Sequence, residues 1–305
     1  MSSQTTFTHR TTIITGANTG IGLATARHLL RLQNGTGTLI LACRNPTSAA
    51  SAREALLAEF PSTKTNIRIE HLDLSSYGSV RSFANEIRKE VDVLDLLVLN
   101  AGSAFFAGFE RGVEGHERTV QNMFLSNVLL LLELLGLLER SAGRVTWVGS
   151  RKAYEGRGDF GVLDEEERYD MMKRYGEVKL LCLGFFYELG KRLEDGKVVV
   201  NMVCPGAVRT GLARNLPVWY VPLVWVYQKL MSKSAEEAAG LVVNAGVVVG
   251  RDSHGVFFGD EEVERMHPFF ESEEGKRFRE GVWEETMAEM KRVVVVPEYL
   301  LAGSG

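Results

Sequence analysis

The stretch "TTIITGANTGIG", residues 11–22, runs from an apolar segment of strand type into glycines at positions 16, 20 and 22, and then into the helical pattern "GIGLATARHLLRLQ". Glycine lets a backbone turn tightly and approach a pyrophosphate closely, and the free amides at a helix N-terminus attract its negative charge. A glycine triplet also fits a plain strand-to-helix turn. Its place between the first strand and the first helix is what favours the phosphate reading.

Outward from this turn, the same alternation continues along the chain. Apolar runs "TLILAC" (38–43), "NIRIEHLDL" (66–74), "LDLLVLNAG" (94–102), "GRVTWVGS" (143–150), "KVVVNMVCPG" (197–206) and "GVFFGD" (255–260) are separated by helix-length segments such as "SVRSFANEIRKE" and "RTVQNMFLSNVLLLLELLGLLE". Continuous apolar runs fit strands buried on both faces, and strand–helix repetition predicts an α/β fold with a doubly wound parallel sheet of about seven strands and helices on both faces. Such sheets bind ligands beyond the carboxyl ends of their strands, where the strand order reverses. The residues just after each strand are therefore the candidates for chemistry.

Bulk properties narrow the classes. A chain of 305 residues with 45% hydrophobic and 24% charged content suits a single domain and argues against a disordered or fibrous protein. A net charge of −4, without a basic stripe, gives no footprint for nucleic acid. Cys43, Cys182 and Cys204 are odd in number and lack ligand spacing, so buried thiols in a reducing compartment are expected, with no disulfide framework and no metal site. His116 and His267 are single and fit solvent-facing or structural roles better than metal binding. The N-terminus has no apolar run of signal-peptide length and the hydrophobic runs look short of a membrane span, so a soluble cytoplasmic protein is the expectation.

The motif "TGANTGIG" has the spacing G-x-x-x-G-x-G, unlike the G-x-G-x-x-G of longer dinucleotide enzymes, and resembles the short-chain dehydrogenase/reductase family with its Rossmann-type core. The resemblance implies cofactor contacts from Gly16, Asn18, Thr19, Gly20, Ile21 and Gly22. "LDLSS" places Asp73 and Leu74 where relatives contact the adenine, although a turn or N-cap role also suits such an acid. "LNAG" is similar to the family's N-A-G motif, with Asn100 stabilising the sheet and Ala101 and Gly102 passing the ribose. The second strand ends in "LACRN". An aspartate at that position would accept hydrogen bonds from a ribose diol, whereas Arg44 offers a planar cation to a 2′-phosphate. A solvated arginine is the competing reading, but "ACR" also resembles NADP(H)-using members, so NADP(H) is the expected cofactor.

Hydride exchange with a carbonyl or alcohol also needs a proton donor or acceptor at the reacting oxygen. A tyrosine serves if its pKa, about 10 unperturbed, is lowered by a neighbouring lysine ammonium, which an i, i+4 spacing on a helix supplies. Two pairs satisfy the spacing in "ERYDMMKRYGEVKLL": Tyr169 with Lys173, and Tyr175 with Lys179. The long apolar helix after Lys179 separates them, because charges crowd Tyr169 on both sides. The run to "VNMVCPG" resembles the active-site helix of retinol-dehydrogenase-like members, so Tyr175 and Lys179 are the catalytic pair it implies and Tyr169 belongs to the approach to the pocket.

By the same resemblance, Ser150 at the end of "VTWVGS" polarises the substrate oxygen. Gly149 replaces a serine more usual in relatives and is expected to loosen the turn. Asn127 in "FLSNVLLLL" supports a water linked to the lysine, or else merely interrupts an apolar helix. In "PGAVRTGL", Pro205 and Gly206 lie beneath the nicotinamide, with Val208 and Thr210 at its carboxamide.

The domain plan is a single domain, 1–305, with a Rossmann core over 10–260, a substrate lid over 211–234, and a C-terminal helix and tail over 261–305. The lid region, with Trp219, Tyr220, Trp225 and Tyr227, and the loop bearing Phe105, Phe106 and Phe109 imply a hydrophobic substrate. A membrane-surface or subunit contact through 217–227 is the less favoured reading of those aromatics, and a homo-oligomer is admissible. The final "VVVVPEYLLAGSG" suits a strand or a tail that could cap the pocket or pair with a partner. The expected activity is NADP(H)-dependent transfer of hydride between nicotinamide and a hydrophobic carbonyl or alcohol. The alternatives are a catalytically silent NADP(H)-binding sensor or scaffold, and a relative recruited to a non-redox biosynthetic step.

Overall fold

Each of the apolar runs forms a strand: β1 (Thr11–Thr15), β2 (Thr38–Cys43), β3 (Asn66–His71), β4 (Leu96–Leu99), β5 (Arg144–Val148), β6 (Val199–Cys204) and β7 (Phe257–Gly259). The computed structural model describes residues 11–32, 36–102, 108–156, 164–193, 197–208, 232–259, 262–264 and 266–301. The sheet order is β3-β2-β1-β4-β5-β6-β7-β8, where β8 (Glu262–Val263) is a two-residue edge strand antiparallel to β7. All other pairings are parallel, and the order reverses where β1 lies between β2 and β4. That reversal opens the crevice into which the glycine turn after β1 projects.

Side chains alternate along each strand and divide the core in two. Ile13, Leu97 and Leu99 face one layer, with α3 (Tyr77–Glu90), α4 (Arg118–Ser141) and α5 (Met171–Arg192). Ile14, Leu96 and Val98 face the other, with α1 (Gly20–Leu32), α2 (Pro46–Glu59) and α6 (Ala235–Val243). The leucines of α4 show why burial drives this arrangement: Leu129, Leu130 and Leu131 are wholly buried, each contributing roughly 1.5–3 kcal/mol.

Two expectations about α4 and the C-terminus change. The 24 residues Arg118–Ser141 are long and apolar enough to cross a membrane, contrary to the reading of the hydrophobic runs as too short, yet 89% of the apolar window is buried inside the protein. The helix is apolar because it lies between the sheet, α3 and α5. Among its described residues the tail forms no strand, so of the strand and tail readings the second holds there. After α7 (Pro268–Glu271) and α8 (Glu273–Met290), it passes through turns to α9 (Glu298–Leu301), with Val296 and Leu300 buried against the α4–α5 layer. Tyr299 Oη donates to Glu139 Oε1 of α4 at 2.5 Å, and Trp283 of α8 stacks on Phe185 of α5 with centroids 5.0 Å apart. The apolar residues that suggested a strand thus cover helices.

Candidate active site

The glycine turn is built by close backbone approach. Gly16 and Gly20 have φ of +66° and +56°, and a Cβ on Gly22 would stand 2.5 Å from Gly16 O and 2.7 Å from Asn100 Nδ2. Asn100 Nδ2 donates to Thr15 O at 2.8 Å, while Thr15 Oγ1 accepts from Asn100 N and Ala101 N at 3.0 and 2.8 Å. Thr15 and Asn100 therefore lock the ends of β1 and β4 together at the reversal. Asn18 Nδ2 donates to Ser48 Oγ at 2.7 Å, tying the turn to α2, and Thr19 stays exposed. Ile21 packs against the α1–α2 core layer.

The remaining cofactor-side candidates follow the other strands of the sheet. Arg44 is exposed just after β2 and has no hydrogen bond or ion pair among the described residues. Asp73 Oδ1 accepts from Ser75 N and Ser75 Oγ at 3.0 and 2.8 Å, so its carboxylate organises the turn before α3. Leu74 is buried, its carbonyl accepting from Ser126 Oγ of α4 at 2.6 Å. Gly102 approaches Met123, where a Cβ would be 3.4 Å from Met123 Cγ. Pro205 is buried at the end of β6, Gly206 takes a φ of +76°, and Val208 bridges to Lys233. Thr210, Phe105, Phe106 and nearly all of the lid region, with its four aromatics, lie outside the described residues.

The two Tyr–Lys pairs are not equivalent in three dimensions. Helix α5 begins at Met171 with Asp170 as its N-cap, accepting from Met172 N at 2.9 Å, so Tyr169 lies before the helix in extended backbone. Lys173 Nζ pairs instead with Asp170 Oδ2 at 3.0 Å on the exposed side. Burial, reinforced by the nearby Glu117 carboxylate, pushes the Tyr169 phenol up, which disfavours its anion. Tyr175 and Lys179 both lie within α5, with Nζ 5.9 Å from the Tyr175 ring centroid. Lys179 is buried and donates to Val148 O at 2.9 Å, two residues before Ser150.

Ser150 caps a 3-10 turn (Arg151–Glu155), its Oγ accepting from Lys152 N at 3.2 Å. This turn packs directly on α5: a Cβ on Gly176 would stand 2.9 Å from Lys152 O, and one on Gly156 would stand 2.7 Å from Gly176 O. Glycine beside Tyr175 therefore lets the serine turn and the tyrosine helix meet. Gly149 does the opposite of loosening. Its N donates to Val203 O at 2.8 Å, and a Cβ there would sit 2.6 Å from Met202 Sδ, so the position is glycine because β6 and β7 side chains fill the space.

Asn127 follows a π-helical turn in α4 (Gln121–Leu125), the kind of bulge that frees carbonyls from the helix ladder. Its Nδ2 donates to Asn122 O and Met123 O at 3.1 and 3.2 Å, and Oδ1 is buried without a hydrogen-bond partner among the described residues. The three cysteines are buried and free, and burial pushes the Cys43 and Cys182 thiols up to about 11. His267 caps α7 and stacks on Tyr154, while His116 pairs with Asp164 at 2.6 Å, a structural role for each.

The sequence model of the short chain dehydrogenase family matches residues 10–221. The chain belongs to that family. It is 38% identical to the short chain dehydrogenase yanD of Aspergillus niger over 95% of this chain and 93% of that protein. It is 34% identical to retinol dehydrogenase 14 of Mus musculus, covering 85% of this chain and 80% of that protein. Among solved structures, the RhlG/NADP active-site complex of Pseudomonas aeruginosa superposes with a TM-score of 0.67 at 23% identity, covering 85% and 98% of the two chains, a likeness of fold. The short chain dehydrogenase described here is thus an oxidoreductase by family, built on a Rossmann-type sheet.

Sequence reasoning missed three contributors. Thr15 shows only as a hydroxyl at the end of an apolar strand. Arg174 and Glu117 belong to no motif in the sequence, yet both are buried.

Proposed function

We propose that this short chain dehydrogenase is NADP(H)-dependent and exchanges hydride with a hydrophobic carbonyl or alcohol, with Tyr175 as the proton-exchanging group. The observation that carries the reading is the Tyr175–Lys179 pair: both residues lie on one helix, the ammonium is buried beside the ring, and the rival pair is split by a helix boundary.

The crevice fits a dinucleotide. The missing side chains at Gly16 and Gly22 keep the backbone open where a pyrophosphate would approach, and α1 aims its free amides at the same place. Bound there, the nicotinamide cofactor supplies hydride to a carbonyl carbon or accepts it from an alcohol. The chain provides the rest. Tyr175 Oη gives its proton to the reduced oxygen, so a ketone or aldehyde leaves as an alcohol. The buried Lys179 ammonium stabilises the phenolate left behind. Ser150 Oγ donates a hydrogen bond to the same oxygen and holds it toward Tyr175. Asn127 Oδ1 offers a buried acceptor to a water that returns the proton by way of Lys179.

For the cofactor preference, Arg44 supports NADP(H): its guanidinium is exposed and uncommitted beside the turn, where a 2′-phosphate would accept a bidentate contact. The hydrophobic substrate rests on the aromatic composition of 217–227 and on the name of the retinol dehydrogenase relative. The test is NADPH absorbance with a panel of apolar ketones and aldehydes, and NADP+ reduction with the matching alcohols, followed by product identification. Consumption of cofactor with alcohol or carbonyl formation is expected. Binding of NADPH without turnover of any panel member would contradict the proposal and favour a sensor, and product formation without cofactor oxidation would favour a non-redox step.

A further inference from the structure

The first turn of α5 is anchored by a charge cluster that hydride transfer does not itself use. Arg174, the residue before Tyr175, is 1% exposed. Its Nη1 lies 3.7 Å from Glu117 Oε2, its Nε lies 3.3 Å from Glu177 Oε2, and its guanidinium carbon sits 5.0 Å from the centroid of the Tyr169 ring. Glu117 is wholly buried and caps the start of α4, Oε1 accepting from Thr119 N at 2.9 Å and Oε2 from Val120 N at 3.2 Å. Further polar contacts brace the same place. Glu117 N donates to Asp164 Oδ1 at 2.7 Å, Asp164 Oδ2 pairs with His116 at 2.6 Å, and His116 Nε2 lies 3.3 Å from Glu289 of α8.

Burying such charges is unfavourable unless they are paired, and an apolar side chain of similar volume often replaces a buried ion pair without loss of stability. The burial of a charged side chain at Arg174 is therefore better explained by what it holds than by stability. It joins the turn that presents Tyr175 to the end of the helix that carries Asn127, and it props the Tyr169 ring, which meets Phe109 edge-on at 5.8 Å. Arginine is suited to the task because its planar fork can face carboxylates on two helices while its flat face lies on an aromatic ring.

We propose that Arg174 is a positioning residue for Tyr175: through Glu117 it fixes the first turn of the tyrosine helix against α4, and so sets where the phenol meets the reacting oxygen. The proposal rests on the reading of Tyr175 as the proton-exchanging group. Misplacement of a reacting group by about 1 Å costs on the order of 100-fold in rate, so a loss in kcat approaching that size is expected for Arg174→Met, with NADPH affinity kept within about two-fold. Arg174→Lys, which keeps the charge but not the fork, should recover part of the loss.

A second readout needs no substrate. In protein labelled with 13Cζ-tyrosine, the Tyr175 signal is assigned by its loss in Tyr175→Phe, and its shift and pH response should change in Arg174→Met and, to a smaller extent, in Arg174→Lys. If Arg174→Met does not fold, Arg174→Lys alone decides the matter. A folded variant whose Tyr175 signal and kcat both match the wild type overturns the positioning role. If the wild type shows no turnover but the signal moves in the variants, the functional reading fails while the positioning role stands; turnover with an unmoved signal gives the reverse.

Discussion

The cofactor side and the proton-transfer side of the crevice are assembled by different physics. Around β1, the chain removes side chains: Gly16, Gly20 and Gly22 let backbone approach backbone, and Thr15 with Asn100 closes the join by short hydrogen bonds. Around α4 and α5, the chain inserts long charged side chains into the interior, with Glu117, Arg174 and Lys179 all buried. The first construction tolerates no added atom. The second tolerates changes of shape better than changes of charge or donor geometry.

The difference predicts where substitutions act, and the largest effect belongs to the cofactor side. Gly22→Val places side-chain atoms where a Cβ alone already stands 2.5 Å from a carbonyl, so the turn must move. Overpacking of this kind costs about 1–3 kcal/mol. Calorimetry should show a lowered Tm together with loss of saturable NADPH binding. Retention of tight binding would show that the turn is not the cofactor cradle.

Arg44→Ala should act more narrowly. The side chain is exposed and makes no hydrogen bond or ion pair among the described residues, so stability should stay within ~0.5 kcal/mol, while the Kd for NADPH rises about 10-fold and that for NADH hardly changes. Fluorescence titration with both cofactors measures the contrast, and equal weakening of both would remove Arg44 from the 2′-phosphate site.

The smallest effect belongs to the outer charge shell of the substrate side, and pH reveals it. The Asp164 hydrogen bond raises the His116 pKa above the ordinary 6.5, against the opposing pull of burial. That contribution is full below 6.5 and is lost as pH rises through the raised value. Burial opposes ionisation of Asp164, yet its hydrogen bonds from His116 and Glu117 N hold its pKa below 3.8, so its contribution is present above 3.8 and fades as pH falls through the lowered value. His116→Gln should therefore destabilise most between 3.8 and 6.5, by about 1 kcal/mol or less, and progressively less on the alkaline side. Urea titrations at several pH values give the comparison, and a cost that grows with pH would contradict the pairing.

The same contrast explains what the sequence made legible. Strands buried on both faces appear as unbroken apolar runs, and glycines that allow close approach recur at fixed spacing, so the sheet and its crevice could be read residue by residue. The two-residue β8 is exposed and too short to show a period. The tail's valines suggested a strand because an apolar run does not say whether it covers a sheet edge or a pair of helices. Gly149 was misread because its constraint comes from Met202 and Phe257, on strands far along the chain. Arg174 stood beside Tyr175 throughout, but charged residues are so rarely buried that only the folded chain reveals its pairing with Glu117.

The central claim is that Tyr175, held within α5 beside Lys179, exchanges the proton, and that Tyr169, outside the helix, does not. Single-turnover decay of NADPH absorbance with a turned-over carbonyl, compared among the wild type, Tyr175→Phe and Tyr169→Phe, tests it most directly. The account predicts a loss of about 100- to 10,000-fold for Tyr175→Phe with NADPH binding intact, and a loss of no more than about 10-fold for Tyr169→Phe. An active Tyr175→Phe enzyme beside an inactive Tyr169→Phe enzyme would contradict it.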